Sequence, residues 1–194
     1  MEITKAYIFS QIFTIAMYLV LAISYHIKKR KNILILTFVS HIFCGVSYIL
    51  LNAYTGVAMC IVAMIRDAIF MVDENKNGKR DTITKKDVIY LIIFYLLIII
   101  STTITYQGLY SLLSAMATMT FTYSVWQKKP RVYKMLGIPT GILWIVYNFC
   151  VKSIFGVILE TILLIASISG FLRDNNTTNN KKEITDDINK SSIS

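Results

Sequence analysis

The chain has 194 residues, of which 55% are hydrophobic and 16% are charged, and its formal net charge is +9. Soluble domains carry about 25% charged residues, so the low charge and the mean hydropathy of +0.58 argue against this class. At about 20 residues per membrane-spanning helix, seven such helices would fill most of the chain. They would leave no room for a separate soluble catalytic domain, and we predict an all-α polytopic membrane protein.

Seven apolar segments have the length and composition of membrane-spanning helices. The predicted spans are residues 7–27, 33–51, 56–72, 88–105, 107–126, 135–151 and 155–172. The first span is not a cleavable signal peptide, because its basic cluster, Lys28 to Lys31, follows the apolar core instead of preceding it. We therefore expect the first span to stay in the mature protein.

The basic residues indicate the orientation, because loops rich in Lys and Arg stay on the cytoplasmic side. Seventeen of the 20 Lys and Arg residues fall in the loops after the first, third and fifth spans and in the tail. Lys5 and Lys152 fall on the opposite side, and Arg66 lies inside the third span. We expect the N-terminus outside, the C-terminus inside, and a disordered cytoplasmic tail over residues 174–194.

The same distribution argues against nucleic acid as a partner. The basic residues sit in short loops beside the spans, without the aromatic side chains that single-strand binding surfaces place between basic ones. The predicted partner is the lipid bilayer, whose anionic headgroups attract basic residues.

A shift of 100 residues aligns the first three spans with the last three. Nine residues are identical to their counterparts under this shift: Ser24, Lys28, Lys29, Leu36, Ile42, Val46, Gly56, Val57 and Ile65. We predict two parallel three-helix repeats, residues 1–72 and 107–173, joined by a loop and a linker helix in residues 73–106. Parallel repeats characterise a class of transporters. The alternative is that any two triplets of membrane helices look alike.

Three charged residues lie inside predicted spans, where polar groups usually face a cavity or one another. Arg66 and Asp67 are near the middle of the third span, and Glu160 is about one turn inside the seventh. Cys60, the repeat counterpart of Glu160, shares a helix face with Asp67. If Glu160 faces a central cavity, both should face it too. Arg66 then points about 100° away and forms a structural ion pair or snorkels toward the cytoplasm.

The second and sixth spans carry matching polar and aromatic stripes. His41, Cys44 and Tyr48 are spaced as one helical stripe. Their counterparts are Gly141, Trp144 and Asn148. Such stripes fit two walls of one site, with Trp144 too deep for an interfacial belt and Pro139 as a hinge. The alternative is that His41 only hydrogen-bonds a neighbouring helix.

The sequence contains no enzyme-like constellation. No Ser-His-Asp, Cys-His or paired-carboxylate arrangement is apparent, and the three cysteines and two histidines lack metal-ligand spacing. We predict a protein that is not an enzyme and has no catalytic residues, no metal and no cofactor.

Two segments resemble the YgjV family of bacterial inner-membrane proteins. One runs from Leu143-Trp144-Ile145-Val146-Tyr147-Asn148-Phe149 through Ser153, Gly156 and Glu160 to Arg173. The other runs from Tyr48-Ile49-Leu50-Leu51 through Tyr54 to Ala63-Met64-Ile65-Arg66. The resemblance covers residues 7–173 and implies a multi-pass protein of the bacterial cytoplasmic (inner) membrane. The family is similar in turn to SWEET sugar transporters and PQ-loop proteins, which share the 3+1+3 helix plan.

The likeness to SWEETs implies a substrate site. In SWEETs a Trp on the sixth helix and an Asn on the seventh contact the substrate, and Trp144 and Glu160 stand at matching places. A Glu in place of that Asn implies a polar or cationic substrate, or coupling to protons. The chain departs from SWEETs in the first repeat, which lacks their hinge prolines.

Our sequence-based hypothesis is a carrier or facilitator for a small polar molecule, with its cavity between the two repeats. The predicted substrate-binding residues are Trp144, Tyr147, Asn148, Glu160, His41, Tyr48 and Asp67. The alternative hypothesis is a non-transporting membrane module that binds a partner protein or a lipid, in which the polar residues hold helices together.

Overall fold

The computed structural model describes the backbone of residues 5–51, 54–77, 83–104, 106, 108–150 and 154–191. Side chains are described for these residues except 54–56, 58, 77 and 176–191. Three predicted span ends, Thr105, Gln107 and Val151, lie outside the described residues.

The described part of the chain forms seven α-helices and no strands. They are α1 (Lys5–Ser24), α2 (Arg30–Leu50), α3 (Tyr54–Asn77), α4 (Lys85–Ile104), α5 (Tyr110–Trp126), α6 (Pro130–Cys150) and α7 (Ile154–Ser191). Each predicted span coincides with one helix, which confirms the all-helical fold. Polar segments separate the apolar runs. Pro130 is the first residue of α6, a position whose backbone N–H would have no hydrogen-bond acceptor within the helix.

Four of the described helices are long and apolar enough to cross a membrane: α1, α2, α4 and the part of α7 from Ile154 to Asn175. α5 has 17 residues, and α3 carries Arg66 and Asp67 in its middle. Length and composition therefore support a membrane-embedded helical protein.

Neighbouring helices pack in chain order within two groups. α2 packs between α1 and α3, and α6 packs between α5 and α7. α4 packs on α5, and α1 contacts α7. Each group is therefore a triplet with its second helix in the middle.

Three helix boundaries match between the two triplets at a shift of 100 residues. α6 begins and ends 100 residues after α2, and α7 begins 100 residues after α3. Ten buried positions of the first triplet also fall on buried positions of the second: 24/124, 25/125, 33/133, 34/134, 37/137, 40/140, 60/160, 66/166, 67/167 and 70/170. The repeat seen in the sequence therefore extends to helix ends and to burial.

The hydrophobic core lies toward one end of the bundle. We call this the basic end. α1, α3 and α5 end here, α2, α4 and α6 begin here, and the described basic residues between these helices lie here. The core consists of Tyr25, Ile33, Leu34, Phe70, Phe94, Val125, Trp126, Tyr133, Leu163 and Ala166. Tyr25 stacks on Tyr133 with ring centroids 5.0 Å apart, and Ser24 hydrogen-bonds the Tyr133 hydroxyl at 2.7 Å. The two triplets are therefore in close contact at the basic end.

Helix α7 is longer than the predicted span. It continues past Leu172 to Ser191, where the sequence predicts a disordered tail from residue 174. No Gly or Pro follows Gly170, so nothing in the sequence stops the helix after the apolar segment. The end of the apolar segment and the end of the helix therefore differ by almost 20 residues.

Candidate functional site

A group of buried polar side chains joins α2, α3 and α5 near the middle of the bundle. We call it the arginine cluster: His41, Arg66, Asp67 and Thr122. Arg66 Nε donates to Asp67 Oδ1 at 3.0 Å, and Arg66 Nη1 donates to the Thr122 hydroxyl at 2.9 Å. His41 Nδ1 lies 3.0 Å from Asp67 Oδ2. Both oxygens of the Asp67 carboxylate therefore have a partner.

Three of the four side chains of the arginine cluster are buried, and the fourth, His41, is 18% exposed. Asp67 is fully buried and Arg66 is 4% exposed, and the Phe121 ring lies 5.4 Å from the guanidinium carbon. Arg66 Nη2 lies 2.9 Å from Asp67 Oδ1 but makes no well-angled hydrogen bond. A cavity of about 30 Å³ beside Arg66 is lined by residues of α3, α4 and α5, enough for about one water molecule. The cluster therefore neutralises the charges of Arg66 and Asp67 inside the bundle.

Sequence reasoning placed Arg66 and Asp67 on different faces, about 100° apart. In the structure the long Arg66 side chain turns back to the carboxylate of its own neighbour. His41, predicted on the wall of a substrate site, is bound to the same carboxylate. The Asp67 carboxylate therefore binds both Arg66 and His41.

A second buried carboxylate lies where α1 meets α7. Glu160 is 7% exposed, and its Oε1 accepts a hydrogen bond from the Tyr18 hydroxyl at 2.8 Å. Tyr25, just after the end of α1, also lies near Glu160. No described Lys, Arg or His lies within salt-bridge distance of this carboxylate. Glu160 therefore differs from Asp67, because it is buried without a described cation.

Aromatic and thiol side chains extend from this carboxylate to both triplets. Tyr18 lies near Cys44 and Tyr48 of α2. Tyr48 in turn lies near Cys60 of α3 and Tyr147 of α6. Tyr48 of the first triplet and Tyr147 of the second are therefore brought close to each other.

The aromatic side chains of α6 form a group near its C-terminal end. The Trp144 ring meets Tyr147 edge-on with centroids 5.4 Å apart, and Tyr110 of α5 lies 6.3 Å from Tyr147. Asn148 donates its side-chain amide to the Trp144 carbonyl at 2.9 Å, a bond within the helix. We call Tyr18, Tyr48, Trp144, Tyr147 and Glu160 the carboxyl cluster. Pro139 lies inside α6, which continues through it.

Buried charges also lie at the basic end, where sequence reasoning assigned Lys and Arg a role in topology. Arg30 Nε donates to the carbonyl of Gln127 at 2.8 Å, and Nη2 donates to those of Val125 and Trp126, each at 3.3 Å. Its Nη1 lies 2.5 Å from Glu74 Oε2. The last carbonyls of a helix lack helical partners and carry a partial negative charge, so Arg30 caps α5.

Two lysines at the basic end are paired as well. Lys128 Nζ lies 2.6 Å from a carboxylate oxygen of Asp73 and 3.2 Å from one of Asp87. Lys134 is fully buried and lies 2.7 Å from Asp174. These pairs tie the loop after α5 to α3 and α4, and tie α6 to α7. Sequence reasoning missed them because a cluster of basic residues beside a span has the same pattern whether its members are paired or exposed.

The described residues include no group of three or more His, Cys, Asp or Glu side chains that could hold a metal ion. Their buried carboxylates are instead bound to Arg, Lys, His or Tyr, or capped by nearby backbone and hydroxyl groups. The polar chemistry of the bundle therefore consists of ion pairs, hydroxyls and one buried carboxylate that faces aromatic side chains.

Seven helices, four of them long apolar segments, with buried charges paired between helices define an α-helical integral membrane protein. The chain belongs to the Imp-YgjV family of bacterial inner membrane proteins, whose model matches residues 8–178. The family resemblance predicted from the sequence is confirmed, and so is the location as a multi-pass protein of the bacterial inner membrane. Neither the curated proteins nor the solved structures include a match to this chain.

Proposed function

We propose that this protein is a SWEET-like carrier or facilitator of a small polar molecule, with its binding cavity between the two triplets. The observation that carries the proposal is the carboxyl cluster. It draws Tyr18 and Tyr48 from the first triplet and Trp144, Tyr147 and Glu160 from the second. A polar site shared by two helical repeats is typical of carriers built from parallel repeats.

The repeat supports a carrier in which the two triplets are equivalent units in a 3+1+3 arrangement, with α4 as the linker. Three helix boundaries and ten buried positions coincide at a shift of 100 residues. Glu74 and Asp174 are counterparts, and each is paired with a basic residue on the middle helix of its own triplet, Arg30 or Lys134. Equivalent units can move against each other as rigid bodies around a shared site.

The orientation follows from the basic end. Loops rich in Lys and Arg are kept in the cytoplasm, which puts the N-terminus outside. The contacts between triplets through Tyr25, Tyr133 and Arg30 then lie at the cytoplasmic face. In this orientation the triplets meet tightly at the cytoplasmic face, and Glu160 lies closer to the outer face.

Within this proposal the two clusters have different roles. Trp144 and Tyr147 stack on or hydrogen-bond the substrate, Asn148 and Tyr48 line the site, and Glu160 supplies charge or binds a proton. His41 and Asp67 line the site only if these pairs open, since the Asp67 carboxylate is bound to both His41 and Arg66.

The arginine cluster favours a second candidate function, a non-transporting module that binds a partner protein or a lipid. Its polar groups are bound to one another, and Arg66, Asp67 and Thr122 are buried, as expected of side chains that hold helices together. Under this alternative the carboxyl cluster would also be structural.

A thermal-shift panel distinguishes the two functions. Purified protein in detergent is heated with sugars, nucleosides, amino acids and polyamines at several pH values, with Trp144→Ala and Glu160→Gln beside the wild type. A ligand that binds only the folded state raises its stability by about 2.7 kcal/mol at a hundredfold excess over Kd. We expect one class of compound to stabilise the wild type and neither variant.

If no compound shifts the wild type and both variants melt earlier, the polar residues are structural and the carrier proposal fails. Tyr123→Phe is the matched control, since Tyr123 stacks on Trp126 at the basic end, away from the carboxyl cluster. This variant should keep the response of the wild type to any ligand.

A further inference from the structure

The buried carboxylate of Glu160 has a chemical property that the general carrier proposal does not use. It is more than nine-tenths buried, and its hydrogen bond comes from the neutral hydroxyl of Tyr18. Burying an ionised carboxylate without a counter-charge costs so much free energy that the group either keeps its proton or pairs with a cation.

The protein itself offers no such cation among its described residues. On α6, which packs against α7, the basic residues lie at the opposite end of the helix: Lys134 is paired with Asp174, and Arg131 contacts Asn175. Fourteen residues of helix separate Glu160 from Asp174, which corresponds to about 21 Å along the axis.

The other titratable groups around Glu160 are neutral when protonated. Tyr18 of α1 and Tyr25, just after α1, lie near the carboxylate. Next to Tyr18 lie Cys44 and Tyr48 of α2. None of these described groups supplies positive charge, which leaves a proton or a ligand to balance the charge of Glu160 among the described residues.

The remaining members of the carboxyl cluster indicate which ligand. The Tyr18 ring lies beside the carboxylate, and the rings of Tyr48, Tyr147 and Trp144 continue from it toward α6. Aromatic faces attract cations, and groups of such rings bind quaternary ammonium ligands. A neutral sugar would gain stacking and hydrogen bonds here but would leave a carboxylate without a counter-charge.

We propose that Glu160 binds either one proton or one small organic ammonium ion, so that the two compete for one carboxylate. Binding converts the carboxylic acid and a free ammonium ion into a carboxylate–ammonium pair and one released proton, which balances atoms and charge. The inference rests on the proposed carrier function and names its substrate class. In a carrier, such competition exchanges the organic cation for a proton across the membrane.

The test uses choline as the probe and its neutral isostere 3,3-dimethylbutan-1-ol as the control. Binding to the detergent-purified full chain is followed by calorimetry, and proton release is followed with a pH dye in weak buffer. At a pH where Glu160 is protonated in the free protein, we expect choline to release about one proton per molecule bound and the neutral isostere not to bind. In this pH range, one competing proton also lowers choline affinity about tenfold for each unit of pH decrease.

Two variants assign the exchange to Glu160. Glu160→Gln should abolish proton release and most of the choline affinity, whereas Tyr123→Phe, at the basic end and away from the carboxyl cluster, should keep both. Choline that does not bind, binds without releasing a proton, or binds Glu160→Gln as it binds the wild type overturns the inference. The wild-type measurements decide the matter even if Glu160→Gln does not fold.

The two proposals fail in different ways. A neutral compound that stabilises the wild type without proton release is consistent with the carrier proposal but contradicts an organic cation as its substrate. Choline binding with proton release, but without uptake of labelled choline into proteoliposomes, keeps the cation site and contradicts transport.

Discussion

Asp67→Asn should destabilise the protein by about 3–5 kcal/mol, because it leaves a buried guanidinium without its counter-charge. The carboxylate of Asp67 is fully buried and pairs with Arg66 at 2.9 Å. The described neutral partner of Arg66, the Thr122 hydroxyl, binds only Nη1. Unfolding in detergent with increasing denaturant measures the loss.

The double variant Arg66→Met with Asp67→Leu should recover most of that stability. Replacing both members of a buried ion pair with apolar side chains of similar size is often neutral, since neither charge then has to be desolvated. The single variant would therefore be much less stable than the double variant. An Asp67→Asn protein as stable as the wild type would contradict the assignment of Asp67 as the counter-charge of Arg66.

Glu74→Gln is the matched control, because Glu74 also pairs with a buried arginine. Arg30 keeps three backbone carbonyls of α5 as acceptors when the carboxylate is neutralised. We expect a loss of about 1 kcal/mol, near the value of one ordinary hydrogen bond. Each of the two substitutions removes one carboxylate from one arginine. The difference between the two losses of stability therefore reflects how many other acceptors each arginine keeps.

Gly170→Ala should destabilise the contact between α7 and the end of α1 by about 1–3 kcal/mol or more. A Cβ atom at Gly170 would overlap the backbone carbonyl oxygen of Tyr25 and lie 3.0 Å from its carbonyl carbon. These are backbone atoms, so no side-chain rotation relieves the overlap, and the two helices must separate. Thermal unfolding in detergent checks the expected loss.

Gly45→Ala is the control with the opposite sign. The added Cβ at Gly45 would lie 3.7 Å from the Cys60 Cβ, which is an ordinary contact. Alanine is favoured over glycine inside a helix by about 1 kcal/mol, so this variant should be as stable as the wild type or more so. Equal effects at Gly45 and Gly170 would contradict the close approach of α7 to Tyr25.

The helices were predictable because they depend on local, regular patterns. Apolar runs separated by polar loops defined seven segments, and each is a helix in the structure. The shift of 100 residues, found from nine identities, also superimposes the ends of α2 and α6. The continuation of α7 to Ser191 was not predictable from hydrophobicity, since a helix needs no apolar side chains to continue.

The partners of the polar residues were not predictable. Tyr18 is one of twelve tyrosines and lies 142 positions from Glu160, so nothing in the sequence pairs them. Arg66 has enough rotatable bonds to reach groups that the helix geometry places on another face. Helical periodicity specifies the direction of Cβ, whereas long side chains determine where the charge lies.

The basic residues illustrate a second limit of sequence reasoning. Arg30 was assigned to a topological loop, but it is the first residue of α2 and is 7% exposed. Lys134 was assigned in the same way and is fully buried against Asp174. A positive charge beside a span can orient the helix in the membrane and still form an ion pair inside the fold.

Accessibility of the site from both sides of the membrane tests the carrier proposal most directly and requires no knowledge of the substrate. Tyr18→Cys would be introduced into a chain whose own Cys44, Cys60 and Cys150 are replaced by serine or alanine. Leu19→Cys, the adjacent position on α1, is the control, because the Leu19 side chain is 58% exposed on the bundle surface at the same depth.

A charged, membrane-impermeant thiol reagent is applied to right-side-out and to inside-out vesicles. If the triplets enclose a cavity that opens alternately to each side, Tyr18→Cys reacts in both preparations and Leu19→Cys, facing lipid, reacts in neither. Tyr18→Cys that reacts in neither preparation, or from one side only, would contradict a carrier with its site at Glu160.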